Sequence, residues 1–414
     1  MSDIRLKYNV VDTDVVINLP ASKSISNRVL IINALSGASA PVINTAKCDD
    51  TDAMINALES QGSDFNIGHA GTAMRFLTAY LAQRSGVWRI TGSSRMEERP
   101  IGVLVDALRE LGAEIVYEKR EGFPPLKIKG GIIEGGAISV PASVSSQYIS
   151  ALMMIAPNMQ NGLKLTLEGH IASKPYIEMT ASIMRSFGAK VEWQGDNVVA
   201  IEPTGYSPVT YSVESDWSAA SYMFQIASLL PGVRIYLPNL LQESLQGDSG
   251  QVELWKILGV RSCFVEGGVE IMGEVSELEQ LEFNFNLMPD LVQSFAVACC
   301  LKGIKFRFTG VETLRIKETD RISALQNELL KLGYVVKAEG DSLLYWDGER
   351  VAAADEVTIA TYRDHRMAMA FASAAIVRNG VIIADCEVVS KSFPTFWQVV
   401  GQLGVNSEEL GIRN

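Results

Sequence analysis

The run Arg315-Ile316-Lys317-Glu318-Thr319-Asp320-Arg321 crowds cations and carboxylates into the approach to a helix. Apolar residues at Ile322, Leu325, Leu329 and Leu332 keep the i, i+3, i+7 spacing of one buried helical face. The charges therefore meet at a helix N-terminus, whose unpaired N–H groups already favour anions. The layout recurs: Lys23-Ser24-Ile25-Ser26-Asn27-Arg28, Gly71-Thr72-Ala73-Met74-Arg75 and Asp364-His365-Arg366 each open a helical pattern. One charged helix start is commonplace. Several in one chain predict a site for substrates that carry more than one negative charge.

Composition narrows what such a site can be. The chain has 414 residues, 47% of them hydrophobic, enough for two or three domains with ample core. Charged residues make up 20% and form no low-complexity tract, which excludes a disordered chain. A net charge of −12 argues against a general nucleic-acid or anionic-membrane surface, so anionic ligands must be drawn by cations concentrated locally. No apolar run approaches the ~18 residues of a membrane span, and Met1 to Tyr8 lacks the pattern of a signal peptide. The five cysteines (Cys48, Cys263, Cys299, Cys300, Cys386) have no metal-ligand spacing, and Cys299-Cys300 reads as a pair of buried thiols. A reduced, cytoplasmic setting is expected.

The elements that position these residues follow a repeat. A helical pattern ends in Leu-Gly or a similar dipeptide and runs into strand, turn and strand, with glycines at 62, 112, 188, 259, 333 and 404. The last five are spaced by roughly 71 to 76 residues, and the physical reading is a helix C-cap glycine leading into a strand. Strand-turn-strand is expected at 191–201 around Gly195-Asp196 and at 335–345 around Gly340-Asp341. Each unit also holds a helix that is apolar nearly all round and should be buried: 29–35, 73–81, 148–156, 219–229, 295–301 and 367–377. Six α/β units split most simply into two domains of three, with a boundary near 211–216. Periodicity does not decide where the first twenty residues belong.

At this point the chain resembles the enolpyruvyl transferase family, in the branch whose acceptor is shikimate 3-phosphate. The resemblance spans nearly the whole sequence. Besides Lys23 to Arg28, Gly71 to Arg75 and Lys317 to Arg321, it rests on Glu98-Arg99-Pro100-Ile101-Gly102, Ser145-Ser146-Gln147-Tyr148 and Ser173-Lys174-Pro175-Tyr176-Ile177. Asp364-His365-Arg366-Met367-Ala368-Met369 and Lys391-Ser392-Phe393-Pro394 complete the set, all in the family's order. The resemblance implies an α/β fold of two domains, each of three βαβαββ units, with the active site in the cleft between them. It implies domains of 21–213 and of 1–20 plus 214–414. It also implies transfer of the enolpyruvyl group of phosphoenolpyruvate to the 5-hydroxyl of shikimate 3-phosphate with release of phosphate.

Carried over by motif position, Lys23, Gly71, Arg99, Gln147, Arg321, Arg366 and Lys391 would hold phosphoenolpyruvate. Lys23, Ser24, Arg28, Ser145, Ser146, Gln147, Ser173, Asp290 and Lys317 would hold shikimate 3-phosphate. Four anionic groups in one cleft need several fixed cations, with Arg preferred where a planar fork helps. Glu318 would protonate C3 of phosphoenolpyruvate and Asp290 would take the hydroxyl proton, with Lys317 assisting. Read bare, Asp290 looks like a helix N-cap ahead of Leu291, Glu318 like a surface ion pair, and each serine like an N-cap. Tyr176 reads equally as a contact to the shikimate end or as packing.

No metal or other cofactor is expected, because the cations already neutralise the phosphates. His69, His170 and His365 form no ligand cluster, and no Gly-x-x-x-x-Gly-Lys-Ser/Thr loop supports an ATP-using phosphotransferase. The chain is expected to act as a monomer. It departs from the family pattern at His69, where asparagine is usual, at Phe76, where proline is common, and at Thr313, where some members carry asparagine. Gly71-Thr72 keeps the glyphosate-sensitive pattern. Two alternatives stay open: a paralogue that binds the ligands without turnover, and the sister enzyme that uses UDP-N-acetylglucosamine. The second would need a catalytic cysteine, which Tyr117 to Pro125 lacks.

Overall fold

The computed structural model describes residues 2–10, 14–37, 40–142, 145–169, 171 and 173–412. Its contacts separate two compact units, Met1–Pro20 with Glu214–Asn414, and Ala21–Val213. Each has its own buried core.

One sheet plan recurs through both units. In Ala21–Val213, Asp64–Asn66 pairs parallel with Gly86–Thr91, followed by Leu126–Gly130 and Glu114–Tyr117, both antiparallel. Gly136–Pro141, Leu163–Glu168, Val198–Ile201 and Val191–Trp193 repeat that order. In the other unit, three more sheets have one parallel pair and then two antiparallel pairs. They start from Asp14–Val16 beside Arg234–Pro238, Gln280–Asn284 beside Lys305–Thr309, and Thr358–Ile359 beside Ile382–Ile383. The sixth repeat is reduced among the described residues to one parallel pair, Val42–Ile43 with Tyr211–Ser212. Strand Ser2–Tyr8 lies between Ile382–Ile383 and Val405–Ile412, so the N-terminal segment contributes an inner strand to one sheet and the edge strand Asp14–Val16 to another in the unit that holds the C-terminus.

The glycine reading holds at five of six positions. Gly112, Gly188, Gly259, Gly333 and Gly404 have φ of 105°, 86°, 83°, 90° and 86°, each one residue past a helix C-cap. There Ala113 N donates to Leu108 O at 2.9 Å and Tyr334 N to Leu329 O at 3.0 Å, closing the last turn as the chain leaves for the next strand. At Gly404 a Cβ would lie 2.1 Å from Asn9 O, so close approach excludes a side chain as well. Gly62 is not a C-cap. The helix Asp49–Glu59 stops at Ser60 in an extended conformation, and Gly62 N instead bonds Ser60 Oγ at 3.0 Å.

The apolar helices are buried, and every residue from Tyr148 to Ile155 is out of solvent. The expected helix 367–377 is broken at Ser373 into His365–Ala372 and Ala374–Val377. The Ser373 hydroxyl donates to Ala370 O at 3.2 Å and accepts from Gln225 Nε2 at 2.8 Å, competing with the helical ladder. Cys299 and Cys300 are fully buried, and burial pushes both thiols up. No described helix is long and apolar enough to cross a membrane.

Candidate active site

In the unit Met1–Pro20 with Glu214–Asn414, helix starts and short turns converge on one guanidinium. Arg321 opens the helix Arg321–Lys331, which Asp320 caps by accepting from Ser323 N at 3.0 Å. Its side chain is only 1% exposed. Arg321 Nε donates to Asp364 Oδ2 at 2.7 Å, Nη1 to Asp290 Oδ1 at 3.1 Å and Nη2 to Glu318 Oε2 at 2.9 Å. Each carboxylate has further duties. Asp364 caps the helix His365–Ala372 by accepting from Arg366 N at 2.9 Å. Asp290, on the turn Pro289–Leu291, accepts from Arg366 Nη2 at 2.9 Å and lies 3.7 Å from Lys317 Nζ. Glu318 accepts from Lys391 Nζ at 3.0 Å.

The lattice alternates signs, so each charge loses water but gains partners. Burial alone would raise the Asp290 carboxyl, yet Arg366, Lys317 and Arg321 together hold it well below the usual carboxylate range. Burial likewise pulls Arg321 down, and Asp364, Glu318 and Asp290 outweigh it and raise the guanidinium. Asp290 is not an N-cap: Met288 holds that position for its turn and Leu291 for the helix Val292–Lys302. Glu318 is an ion pair, but one whose side chain is only 16% exposed.

In the unit Ala21–Val213 the cations are held differently. Lys23 opens the helix Lys23–Leu35 and pairs with the buried Asp50 at 3.0 Å. Arg28, one turn further, is buried and among the described residues donates only to neutral oxygens: Thr180 Oγ1 at 2.7 Å, Ser150 Oγ at 3.2 Å and Ser24 O at 2.8 Å. It lies over the rings of Phe76 and Tyr176, at 5.3 and 5.9 Å, so Phe76 has a packing role beneath the guanidinium. Without a counter-charge, burial lowers Arg28 to about 10. Arg99 is also buried, and its Nε meets no acceptor among the described residues. Its fork lies against the Gly71 backbone, where a Cβ would sit 2.5 Å from Nη1. Arg75 fixes that contact, donating to Gly71 O at 3.2 Å and Pro100 O at 3.0 Å.

Gln147 Nε2 donates to Thr72 Oγ1 at 3.1 Å, joining two of the motifs. Of the serines singled out, Ser145 is a cap, accepting from Gln147 N at 3.3 Å. Ser173 precedes the helix Lys174–Ser186 without capping it and holds a left-handed φ of 55°. Ser24 and Ser146 lie inside helix first turns, so the N-cap reading fails for them. His69 Nδ1 lies 2.9 Å from Ser93 Oγ. His170 lies outside the described residues, and among the described residues no His, Cys, Asp and Glu group could hold a metal ion.

Sequence reasoning missed the supporting residues. Asp50 pairs with Lys23, Asp364 holds Arg321, and Ser150 with Thr180 seats Arg28. A signal existed for two of them. Ser150 and Thr180 each lie one helical turn after a residue already singled out, Ser146 and Tyr176.

A family model described as EPSP synthase (3-phosphoshikimate 1-carboxyvinyltransferase) matches residues 9–66 and 57–400. A 3-phosphoshikimate 1-carboxyvinyltransferase of Bacteroides fragilis (strain YCH46) is 50% identical over 388 residues, covering 94% of this chain and 95% of that one. One from Photobacterium damsela subsp. piscicida is 36% identical over 417 residues, covering 94% and 96%. Among solved structures, an EPSP synthase from Acinetobacter baumannii superposes with a TM-score of 0.77 at 21% identity, covering 99% of this chain and all of that one.

Proposed function

This chain belongs to the EPSP synthase family, and we propose that it transfers the 1-carboxyvinyl group of phosphoenolpyruvate to the 5-hydroxyl of shikimate 3-phosphate, releasing phosphate. The shikimate hydroxyl oxygen bonds to C2 of phosphoenolpyruvate as C3 gains a proton, giving a tetrahedral ketal phosphate. The C2–O bond to phosphate then breaks as C3 gives a proton back. The observation that carries this reading is the placement of Asp290 and Glu318 on a single buried guanidinium, Arg321, with Arg366 and Lys391 as their second partners.

That lattice suits a two-step reaction. The phosphate and carboxylate of phosphoenolpyruvate compete for Arg321, Arg366 and Lys391. As they take those donors, Asp290 loses part of the field that holds it ionised and becomes a stronger base for the hydroxyl proton. Glu318, relieved of Lys391, can carry the proton that moves to and from C3. Lys317, beside Asp290, steadies the oxygen as its proton leaves. In the other unit, buried Arg28 bonds no carboxylate and the Nε of buried Arg99 meets no acceptor among the described residues, which favours anions of the substrates. Arg28 with Ser24, Ser145, Ser146, Gln147 and Ser173 takes shikimate 3-phosphate. Arg99, Lys23 and the Gly71 backbone take phosphoenolpyruvate.

The same reading has the chain work as a monomer in the cytoplasm, with these two small molecules as its partners. Inorganic phosphate release, measured with EDTA present and with each substrate omitted in turn, tests it. Release that needs both substrates and survives EDTA is expected. No release, with shikimate 3-phosphate still bound, would overturn it in favour of a binding protein.

A further inference from the structure

The turn that delivers Asp364 and Arg366 is held in a costly conformation. Tyr362 and Arg363 both adopt left-handed backbone, with φ of 54° and 56°, and neither is glycine. Such residues persist only where their surroundings over-determine them. Here the surroundings converge on one buried carboxylate. Glu328, fully out of solvent, accepts from Tyr362 Oη at 2.7 Å on Oε1. Its Oε2 accepts from Ala360 N at 2.9 Å and Lys331 Nζ at 2.6 Å. Lys331 also donates to Thr358 O at 2.8 Å, tying the strand that leads into the turn. Glu328 lies on the helix Arg321–Lys331, whose first residue grips Asp364. One helix therefore holds the turn from both sides, through Arg321 beyond it and Glu328 before it.

We propose that Glu328 and Tyr362 are positioning residues, whose hydrogen bond holds the left-handed turn so that Asp364 and Arg366 stand ready for phosphoenolpyruvate. The assignment of that substrate rests on the proposed function. Burial and the neighbouring Glu328 push the Tyr362 phenol up to about 12, so it stays a donor through the working pH range. Once the brace is lost, the turn relaxes toward right-handed backbone, and Arg366 N and its guanidinium lose their shared alignment on Asp364 and Asp290. A brace that only stabilised the fold would lower thermal stability without singling out one substrate.

The test uses Tyr362→Phe, which removes one hydroxyl, and Tyr362→Phe with Arg363→Gly, which removes the Cβ that makes left-handed backbone costly. The first variant should raise KM for phosphoenolpyruvate about tenfold, the scale of one charge-assisted hydrogen bond, with the dissociation constant of shikimate 3-phosphate little changed. The added glycine should recover most of that loss. Amide hydrogen exchange over residues 360–367 should quicken in the first variant and slow again in the second. An unchanged KM in Tyr362→Phe, or a raised one that Arg363→Gly leaves in place, would overturn the proposal. If the wild-type chain transferred nothing, exchange would still report the brace, and the proposed function alone would fall.

Discussion

The two units carry cations of opposite habit. Around Arg321 the basic groups are locked into a lattice of carboxylates, and each charge is matched by another within the protein. In Ala21–Val213, Arg28 is just as deeply buried yet directs its donors to hydroxyls and a carbonyl, and Arg99 Nε has no acceptor among the described residues. Of these three candidate-site cations, Lys23 is the one paired with a carboxylate among the described residues, Asp50. A buried cation lacking a counter-charge is costly to the free protein and is repaid when an anion arrives. A matched lattice is stable before the substrate comes, and its value lies in what happens when the substrate displaces one of its members. On the proposed function, the unmatched cations serve affinity and the matched lattice serves proton transfer.

The largest effect should come from removing a proton carrier without removing its shape. Glu318→Gln keeps volume and hydrogen bonding but cannot deliver a proton to C3. Single-turnover phosphate release should slow by about 10³- to 10⁴-fold, with shikimate 3-phosphate bound nearly as before. If the slowing were under tenfold, the lattice would be a binding device like its counterpart, and the distinction between the units would fail.

Next in size is the contrast between two arginines. Arg321→Met leaves Asp364, Asp290 and Glu318 facing one another, and should cost about 3 to 5 kcal/mol in urea unfolding. Arg28→Met removes a cation with no carboxylate to abandon, since Thr180 Oγ1 and Ser150 Oγ already bond each other at 2.8 Å. It should leave stability level or higher while weakening shikimate 3-phosphate about 100-fold, the scale of about two charge-assisted hydrogen bonds. Equal losses of stability in both variants would show that the two cations are held alike.

Smaller still is the effect of one methyl group at Gly71. Its Cβ would lie 2.5 Å from Arg99 Nη1, so the guanidinium must shift in Gly71→Ala. KM for phosphoenolpyruvate should rise about tenfold with kcat retained, since the misplaced group binds and does not react. Glyphosate inhibition should weaken in parallel if the inhibitor occupies the phosphoenolpyruvate site. A fall in kcat without a change in KM would move Arg99 from the affinity side of the comparison to the chemical side.

How much of this was legible in sequence follows from range. Arg321, Glu318 and Lys317 stood out as a charged cluster because a helix start keeps its charges within one run, although only the family pattern raised Glu318 above a surface ion pair. The repeat was visible because a left-handed C-cap favours glycine at Gly112, Gly188, Gly259, Gly333 and Gly404. Gly62 misled because the helix Asp49–Glu59 before it ends at Ser60 in an extended conformation, with no left-handed residue at its end. Asp364 as the partner of Arg321 was hidden, because a lone capping aspartate looks the same whether or not it meets a guanidinium 43 residues away in sequence. The role of Asp290 was not readable from its neighbours either. Its partners come from two distant segments, Lys317 with Arg321 and Arg366, and the family pattern alone singled it out.

The smallest effect tests whether partners or burial set the charge on the lattice side. Asp248, on the turn Gly247–Gly250, is as buried as the lattice acids, but its described hydrogen-bond partner is the Ser218 hydroxyl, and its Oδ1 has none. Burial, with the nearby Asp290 charge, pushes it up to about 7, the opposite of what cations do to Asp290. For an acid raised in the folded state, the native protein holds the proton longer than the unfolded chain. Stability contributed by that proton is therefore present at acid pH and is lost as pH climbs from the usual carboxylate range to about 7. Asp290 runs the other way, and its contribution persists at neutral pH and is lost only as acid carries it through its depressed value. Asp248→Asn should thus gain about 1 kcal/mol over wild type at pH 8 and none near pH 4.5, by urea unfolding at both. An equal shift at both pH values would mean that Asp248 stays ionised throughout, and that burial without a cation is not enough to separate the two acids.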